Sequence, residues 1–507
     1  MEQQIGGSQV VGNATGRSGR QTGAIDHPGD QETLVRGLSE PFGGPLGEHA
    51  AEPRRRFWTP VRVVLALAAL LFAVHWIQKS PCQDGAWVNL EQYSRYCYTD
   101  VLALYYGEGM HEGKVPYRDH PVEYPVLTGA FMGVIGLPVH ELGQALGTGG
   151  SSGINEGQWF YNINALVLCI LGFGTVGALL AMRRNRPWDA AMVALAPGVL
   201  ASATVNWDLL VVSLTAFALY AWSRHRPAVA GVLLGLAVAA KFYPLFLIGP
   251  LFLLALRSRR WESLGVTFGT AALTWTAVNL PVALLWRESW LRFFSFSSER
   301  GIDWGTLWYV GVHFPSGENP GFSVFHWLAG DVSRLNLAWS VLFALGCAGI
   351  AVLTFLAPRR PRLAQLAFLV IAVFLLSNKV WSQQFVLWLI PLAVLARPRW
   401  GAFLAWQVAE VGYFLAFYAQ LMMASGKEVV PEWVFILASL GRMATLAALV
   451  VLVAREVLRP ELDVVRDHGV DDPDGGAFDG APDAPWVGSL RLWLTDGGNR
   501  VPRSALS

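Results

Sequence analysis

The 507-residue chain is 53% hydrophobic and 12% aromatic, and only 15% of its residues are charged. Soluble domains carry about a quarter charged residues, so this composition excludes an ordinary soluble globular protein. A formal net charge of +1, with no patch of interleaved basic and aromatic residues, argues against a nucleic-acid partner.

Residues 1–56 are polar and Gly-rich (IGGSQVVGNATGRSGRQTG), without the apolar segment of a signal peptide, and a disordered N-terminal tail is expected there. Apolar runs then recur from Phe57 to Leu458, which predicts an all-α polytopic membrane domain over 57–460. A hydrocarbon core of about 30 Å needs roughly 20 apolar residues per helix. Runs near 57–78, 159–182, 188–204, 207–223, 228–241, 244–257, 262–280, 334–357, 363–378, 384–396, 400–421 and 432–453 give about twelve crossings. Short basic clusters at Arg54-Arg55-Arg56, 183–187, 224–227, 257–260, 358–362, 397–399 and 454–460 all fall on one side of this weave. The excess of Lys and Arg in cytoplasmic loops assigns that side to the cytoplasm, with both termini, in a plasma membrane. The run Tyr124–Val139 does not fit the parity and reads as a re-entrant or outward-facing helix.

The same weave turns 79–158, the first external loop, outward together with Asn206-Trp207-Asp208, Lys241-Phe242-Tyr243-Pro244, 281–333 and 378–384. Asp100 opens a short amphipathic helix carrying Tyr105 and Tyr106, either as a helix cap or as a general base whose proton affinity is raised by partial desolvation. Lys241 and Lys379, at the rims of apolar runs, either snorkel to head groups or meet an anion such as a phosphate, with Arg95, Arg118 and His120 as weaker additions. Asn206 and Asp208 flank Trp207, which fits a helix cap or hydrogen bonding to a sugar stacked on the indole; Tyr243, Trp381, Gln383 and Gln384 join the same outward set. Trp304, Trp308 and Trp388 are further platforms or members of an interfacial belt. Glu123 is a second carboxylate for the site or a partner of Arg118. Cys82 and Cys97 share the first loop and pair if it faces an oxidising compartment.

The segment 461–507 reads as a disordered acidic cytoplasmic tail, and its Asp472-Pro473-Asp474 as a solvated charge run rather than a metal-holding Asp-x-Asp element. The chain lacks HExxH, paired CxxC, GxxxxGK[ST] and GxSxG, which removes support for metalloprotease, zinc-site, P-loop and esterase readings.

Three stretches in order, YTDVLALYYGEGMHEGKVPY with VEYPVLTGAFM, then VNWDLLVVSLTAFALYAWSRHRPAVAGVLLGLAVAAKFYPLFLI, then NKVWSQQFVLWLIPL, resemble the polyprenyl-phosphate-dependent mannosyltransferases of glycosyltransferase family 87. The resemblance runs from Phe57 to Pro460 and implies a GT-C-like helical bundle with its active site at the outer membrane face. It further implies a polyprenyl-phosphate sugar donor, mannose above all, a glycolipid or glycan acceptor in the cell envelope, inversion at the sugar carbon, and no metal or other cofactor. Asp100 matches the family's catalytic aspartate; Trp381-Ser382-Gln383-Gln384 departs from it where histidine is frequent. The rival readings are a transporter or lipid flippase, for which no internal repeat is visible, and a structural accessory protein.

Overall fold

The computed structural model describes residues 57–147, 153–314 and 323–489, together with Leu34, so the remainder of the expected N-terminal tail lies outside the described residues. All regular elements among them are helical, as the composition predicts; an isolated bridge joins Pro116 and His120. The principal helices are α1 (Pro60–Lys79), α2 (Asp100–Gly107), α3 (Val126–Leu146), α4 (Glu156–Met182), α5 (Asp208–Ser223), α6 (Pro227–Ala240) and α7 (Ile248–Ser258). They continue as α8 (Trp261–Leu285), α9 (Arg287–Glu299), α10 (Val332–Leu356), α11 (Leu363–Ser377), α12 (Val386–Ala396), α13 (Trp400–Ala424) and α14 (Glu432–Leu458). Among the described residues seven helices, α1, α3, α4, α8, α10, α13 and α14, are long and apolar enough to cross a membrane, and five apolar helices are shorter.

The short ones are also the most buried. α11 and α12 present almost no surface, so their backbone polar groups are satisfied inside the protein and not by the length of a free-standing span. Residues 188–204, expected as one span, are instead the short pieces Pro187–Ala190, Ala191–Ala194 and Pro197–Ser202, because Pro197 cannot continue the preceding helix. The broken segment still joins the two ends of the bundle: Asp189 meets Arg186 at one, and Thr204 meets His75 at the other.

α3 contains the run that broke the parity. Its Thr128 hydroxyl donates to Ala240 O at the end of α6, and its Gly136 and Gly143 lie under Phe160 and Glu156 at the start of α4. It touches helix ends on the Asp100 side at both of its own ends and therefore lies across that side. Cys82 and Cys97 form a disulfide there, with Cα atoms 5.6 Å apart.

The opposite end corrects a second expectation. The segment 461–489 is folded against the bundle and is not a solvated tail. Asp463 is paired with Arg362 at 2.7 Å, Asp474 with Arg183, and Asp483 with Arg257 at 2.7 Å. Asp472 accepts from Leu363 N at 2.9 Å, so Asp472-Pro473-Asp474 is buried cap chemistry and not a charge run in water. Burial lifts the Asp472 carboxyl to about 6. Phe478 is fully buried against Trp222, whose indole donates to Gly475 O. The basic clusters at 183–187, 257–260, 358–362 and 397–399 thus share one end with this segment.

α6 and α8 approach closely because small residues face each other. A Cβ on Gly231 would lie 2.3 Å from Thr267 O, and one on Gly235 would lie 2.5 Å from Ala271 O. Gly235→Val forces these backbones apart and is expected to cost about 1–3 kcal/mol, with a lowered thermal unfolding midpoint in detergent. Gly412→Ala, where an added Cβ meets no neighbour, serves as control.

Candidate active site

Asp100 is the first residue of α2, and the preceding Thr99 caps that helix by accepting from Val101 N at 3.2 Å. The same Thr99 hydroxyl donates to Thr204 O at 2.7 Å, and Asp100 N donates to Val205 O at 2.7 Å. The expected helix cap is therefore Thr99. That frees the Asp100 carboxylate for another task.

That carboxylate faces the turn before α5. Asn206 Nδ2 donates to Asp100 Oδ2 at 2.9 Å and lies 2.6 Å from the Tyr124 hydroxyl, while Asn206 Oδ1 accepts from Trp207 N at 2.7 Å. The Tyr98 hydroxyl also donates to Asp100. Burial raises the Asp100 carboxyl above the ordinary carboxylate range; the hydrogen bonds from Asn206 and Tyr98 and the charge of Lys241 act against that rise. Burial likewise raises the Tyr98 and Tyr124 hydroxyls, so both remain neutral, Tyr98 donating to Asp100 and Tyr124 accepting from Asn206.

Behind Asp100 lies an ion pair. Lys241, which follows α6, donates to Asp208 Oδ1 at 2.7 Å, and Trp388 Nε1 reaches the same oxygen at 2.5 Å. The Lys241 ammonium stands 5.0 Å from the Phe385 ring centroid and 5.4 Å from that of Trp388, so aromatic faces replace part of its lost hydration. Trp388 is itself stacked between Tyr243 (4.4 Å) and Phe385 (3.9 Å). A second cation, Lys79 at the end of α1, is buried and donates to Tyr96 O and Tyr98 O, each at 3.2 Å, fixing the backbone just before Asp100.

Beside this cluster is a narrow, open-sided aromatic groove walled by Tyr117, Tyr124, Phe242, Trp275, Trp290 and Phe294. Arg292, on the same helix α9 as Trp290 and Phe294, pairs with Glu123 at 3.2 Å, next to Tyr124. Nearby Glu108 is buried, 3.0 Å from His120, and burial with the Glu123 charge raises it to about 7.

Asp100, Asn206, Asp208 and Lys241, far apart in sequence, are thus brought together. Other expected site residues are taken up in packing or pairing of their own. Lys379 donates to Ser298 O (3.1 Å) and Arg300 O (2.5 Å), anchoring the end of α9, and burial lowers its amine to about 8. Trp381 is fully buried with the Arg442 guanidinium 4.0 Å from its ring centroid, so it offers no open platform for a sugar; Trp207 is buried too, its indole donating to Asn164 at 2.8 Å. Gln383 and Gln384 are buried, Gln383 beside Tyr418. Tyr243 is buried and its hydroxyl lies 3.4 Å from Thr215. Tyr105 donates to Glu156 at 2.7 Å in the α2–α4 contact, and Tyr106 lies against His111. Arg95 is paired with Glu91 on the surface, and Glu123 has Arg292 as its partner in place of the expected Arg118, which pairs with Asp119.

Tyr98, Tyr124, Lys79 and Arg292 were not singled out from the sequence. For Arg292 a signal exists in RESWLRFFSF, where Trp290, Phe293 and Phe294 surround an arginine on a short amphipathic helix. Among the described residues no three His, Cys, Asp or Glu gather in a cluster able to hold a metal ion.

Residues 157–378 match the family model of glycosyltransferase family 87, which covers Asn206, Asp208, Lys241 and Arg292 and begins after Asp100. No curated protein matches the chain. Among solved structures, the crystal structure of the Archaeoglobus fulgidus oligosaccharyltransferase in the apo form is similar at 13% identity and a TM-score of 0.36, over 89% of this chain. The chain spans 59% of that protein's length. The family match supports a membrane glycosyltransferase.

Removing one member of a buried ion pair leaves the other charge uncompensated, which costs about 3–5 kcal/mol. Lys241→Met is therefore expected to lower the thermal unfolding midpoint sharply, and the double change Lys241→Met with Asp208→Asn to recover much of the loss.

Proposed function

We propose that the chain transfers a sugar, mannose in the first instance, from a polyprenyl-phosphate donor to a lipid or glycan acceptor of the cell envelope, with inversion. The observation that carries this reading is the position of Asp100: a half-buried carboxylate, held from one side by Asn206 and Tyr98, near an aromatic groove whose sequence neighbours include the ion-paired cations Lys241 and Arg292. An isoprenoid tail is apolar and suits a groove of this lining. A phosphate at its head suits Lys241, which precedes the groove residue Phe242, and Arg292, which shares α9 with Trp290 and Phe294.

In the proposed reaction Asp100 takes the proton of an acceptor hydroxyl as that oxygen bonds to the anomeric carbon. The bond from that carbon to the phosphate oxygen breaks at the opposite face, and the phosphate leaves with the electron pair. Inversion in one displacement requires a base and no enzyme nucleophile. Negative charge grows on the departing phosphate, and fixed cations aimed at it lower the barrier. Lys379 is assigned to holding α9, and through it Arg292, and not to the phosphate itself. Outward orientation of the Asp100 end follows from the basic clusters at the other end and belongs to the same proposal.

General base catalysis contributes typically 10²–10⁴-fold, so Asp100→Asn is expected to lower turnover by at least about 10²-fold at unchanged abundance. The assay is transfer from a radiolabelled polyprenyl-phosphate sugar in membranes, and full activity of this variant discards the role. A base must be deprotonated, so activity rises with pH through the Asp100 pKa. Asn206 opposes the burial-induced rise, so Asn206→Ala is expected to shift that limb to higher pH, whereas an unmoved limb would assign it to another group.

A further inference from the structure

The segment 461–489 grips the end of α12 opposite the site. The last carbonyls of a helix lack partners within it and carry the negative end of the helix dipole, so cations are favoured there. At the end of α12 two guanidiniums supply this: Arg183 Nη2 donates to Leu395 O at 2.6 Å, and Arg362 donates to Leu395 O at 2.8 Å and Ala396 O at 2.5 Å. Each guanidinium is in turn forked by one aspartate of the segment. Asp463 accepts from Arg362 Nε at 2.7 Å and Nη2 at 3.0 Å, and Asp474 accepts from Arg183 Nε at 2.8 Å and from its Nη2. All four side chains are buried. Fork-to-fork pairing fixes direction as well as charge, so the aspartates decide where the arginines point.

The other end of α12 carries Trp388, which donates to Asp208 and stands over Lys241. α12 is buried along its whole length, so a tilt or slide at one end is passed to the other. We propose that Asp463 and Asp474 are positioning residues of the candidate site, acting through Arg362, Arg183 and the closely packed α12 to seat Trp388 on the Asp208–Lys241 pair. The buried Phe478 and the Ala484 N bond to Arg257 O at 2.7 Å hold the segment in register for this task. The acidic stretch is in this view an internal part that completes the bundle at a distance from its chemistry. Its consequence for turnover rests on the transfer reaction proposed above; its mechanical part does not.

The test uses the full chain in lipid nanodiscs, comparing the double variant Asp463→Asn, Asp474→Asn with the exposed-carboxylate control Glu461→Gln. Hydrogen exchange is read in peptides covering 383–396 and 204–210, beside turnover and donor KM for a polyprenyl-phosphate sugar. The proposal expects exchange in both peptides to rise at least tenfold in the double variant alone, with turnover falling tenfold or more and donor KM changing less than threefold. Unchanged exchange at 204–210 with raised exchange at 383–396 overturns it, because the segment would then brace its own surroundings only. If exchange behaves as expected while the unaltered chain transfers no sugar, the positioning stands and the reaction falls. Should the double variant not be recovered folded, Asp474→Asn is read by the same exchange measurement, where a rise in both peptides supports the proposal and no rise at 204–210 overturns it.

Discussion

A charge inside a helical membrane bundle must be matched by an opposite charge and by hydrogen bonds, because the surroundings cannot solvate it. The pair formed by Asp208 and Lys241 is where that rule shapes this protein most. It joins the start of α5 to the end of α6, and Trp388 of α12 completes it from a third side. Asn206, two residues before Asp208, reaches the Asp100 carboxylate. One turn therefore ties the candidate base to the ion pair, and the geometry of the first depends on the integrity of the second.

The same rule organises the far end with different residues. Lysine, a compact ammonium, is paired once and shielded by rings near Asp100. Arginine, with its planar fork, is paired on two edges where helix ends, aspartates and carbonyls converge. Arg183 and Arg362 each serve a carboxylate and the α12 terminus together, which a lysine has too few directed donors to do. The two ends differ accordingly. One is closed by its own chain, and the other leaves a half-buried carboxylate beside an aromatic groove.

Much of this was legible in the sequence, for definite reasons. Each apolar run of sufficient length reports a helix, and each polar group at a run's rim reports a cost that something must offset. Asp100, Asn206, Asp208 and Lys241 are all of that kind, and they gather. Lys379 and Trp381 are of the same kind and do not join them: the lysine is taken up by carbonyls at the end of α9, and the indole by Arg442. The acidic segment misled for a related reason. Asp-rich, Gly-rich sequence is solvated by default, whereas here its aspartates pair with arginines at the ends of the bundle helices.

The order of apolar and basic segments by itself determined that this is an all-α membrane protein, where most of its helices begin and end, and that the polar residues of interest collect at one end. Pattern suffices for that because burial of backbone in lipid leaves helices as the available solution. Tertiary structure alone decided which charges meet. Partner choice joins residues more than 100 positions apart, as in Arg362 with Asp463 or Asn206 with Asp100, and is set by helix packing that no local spacing encodes.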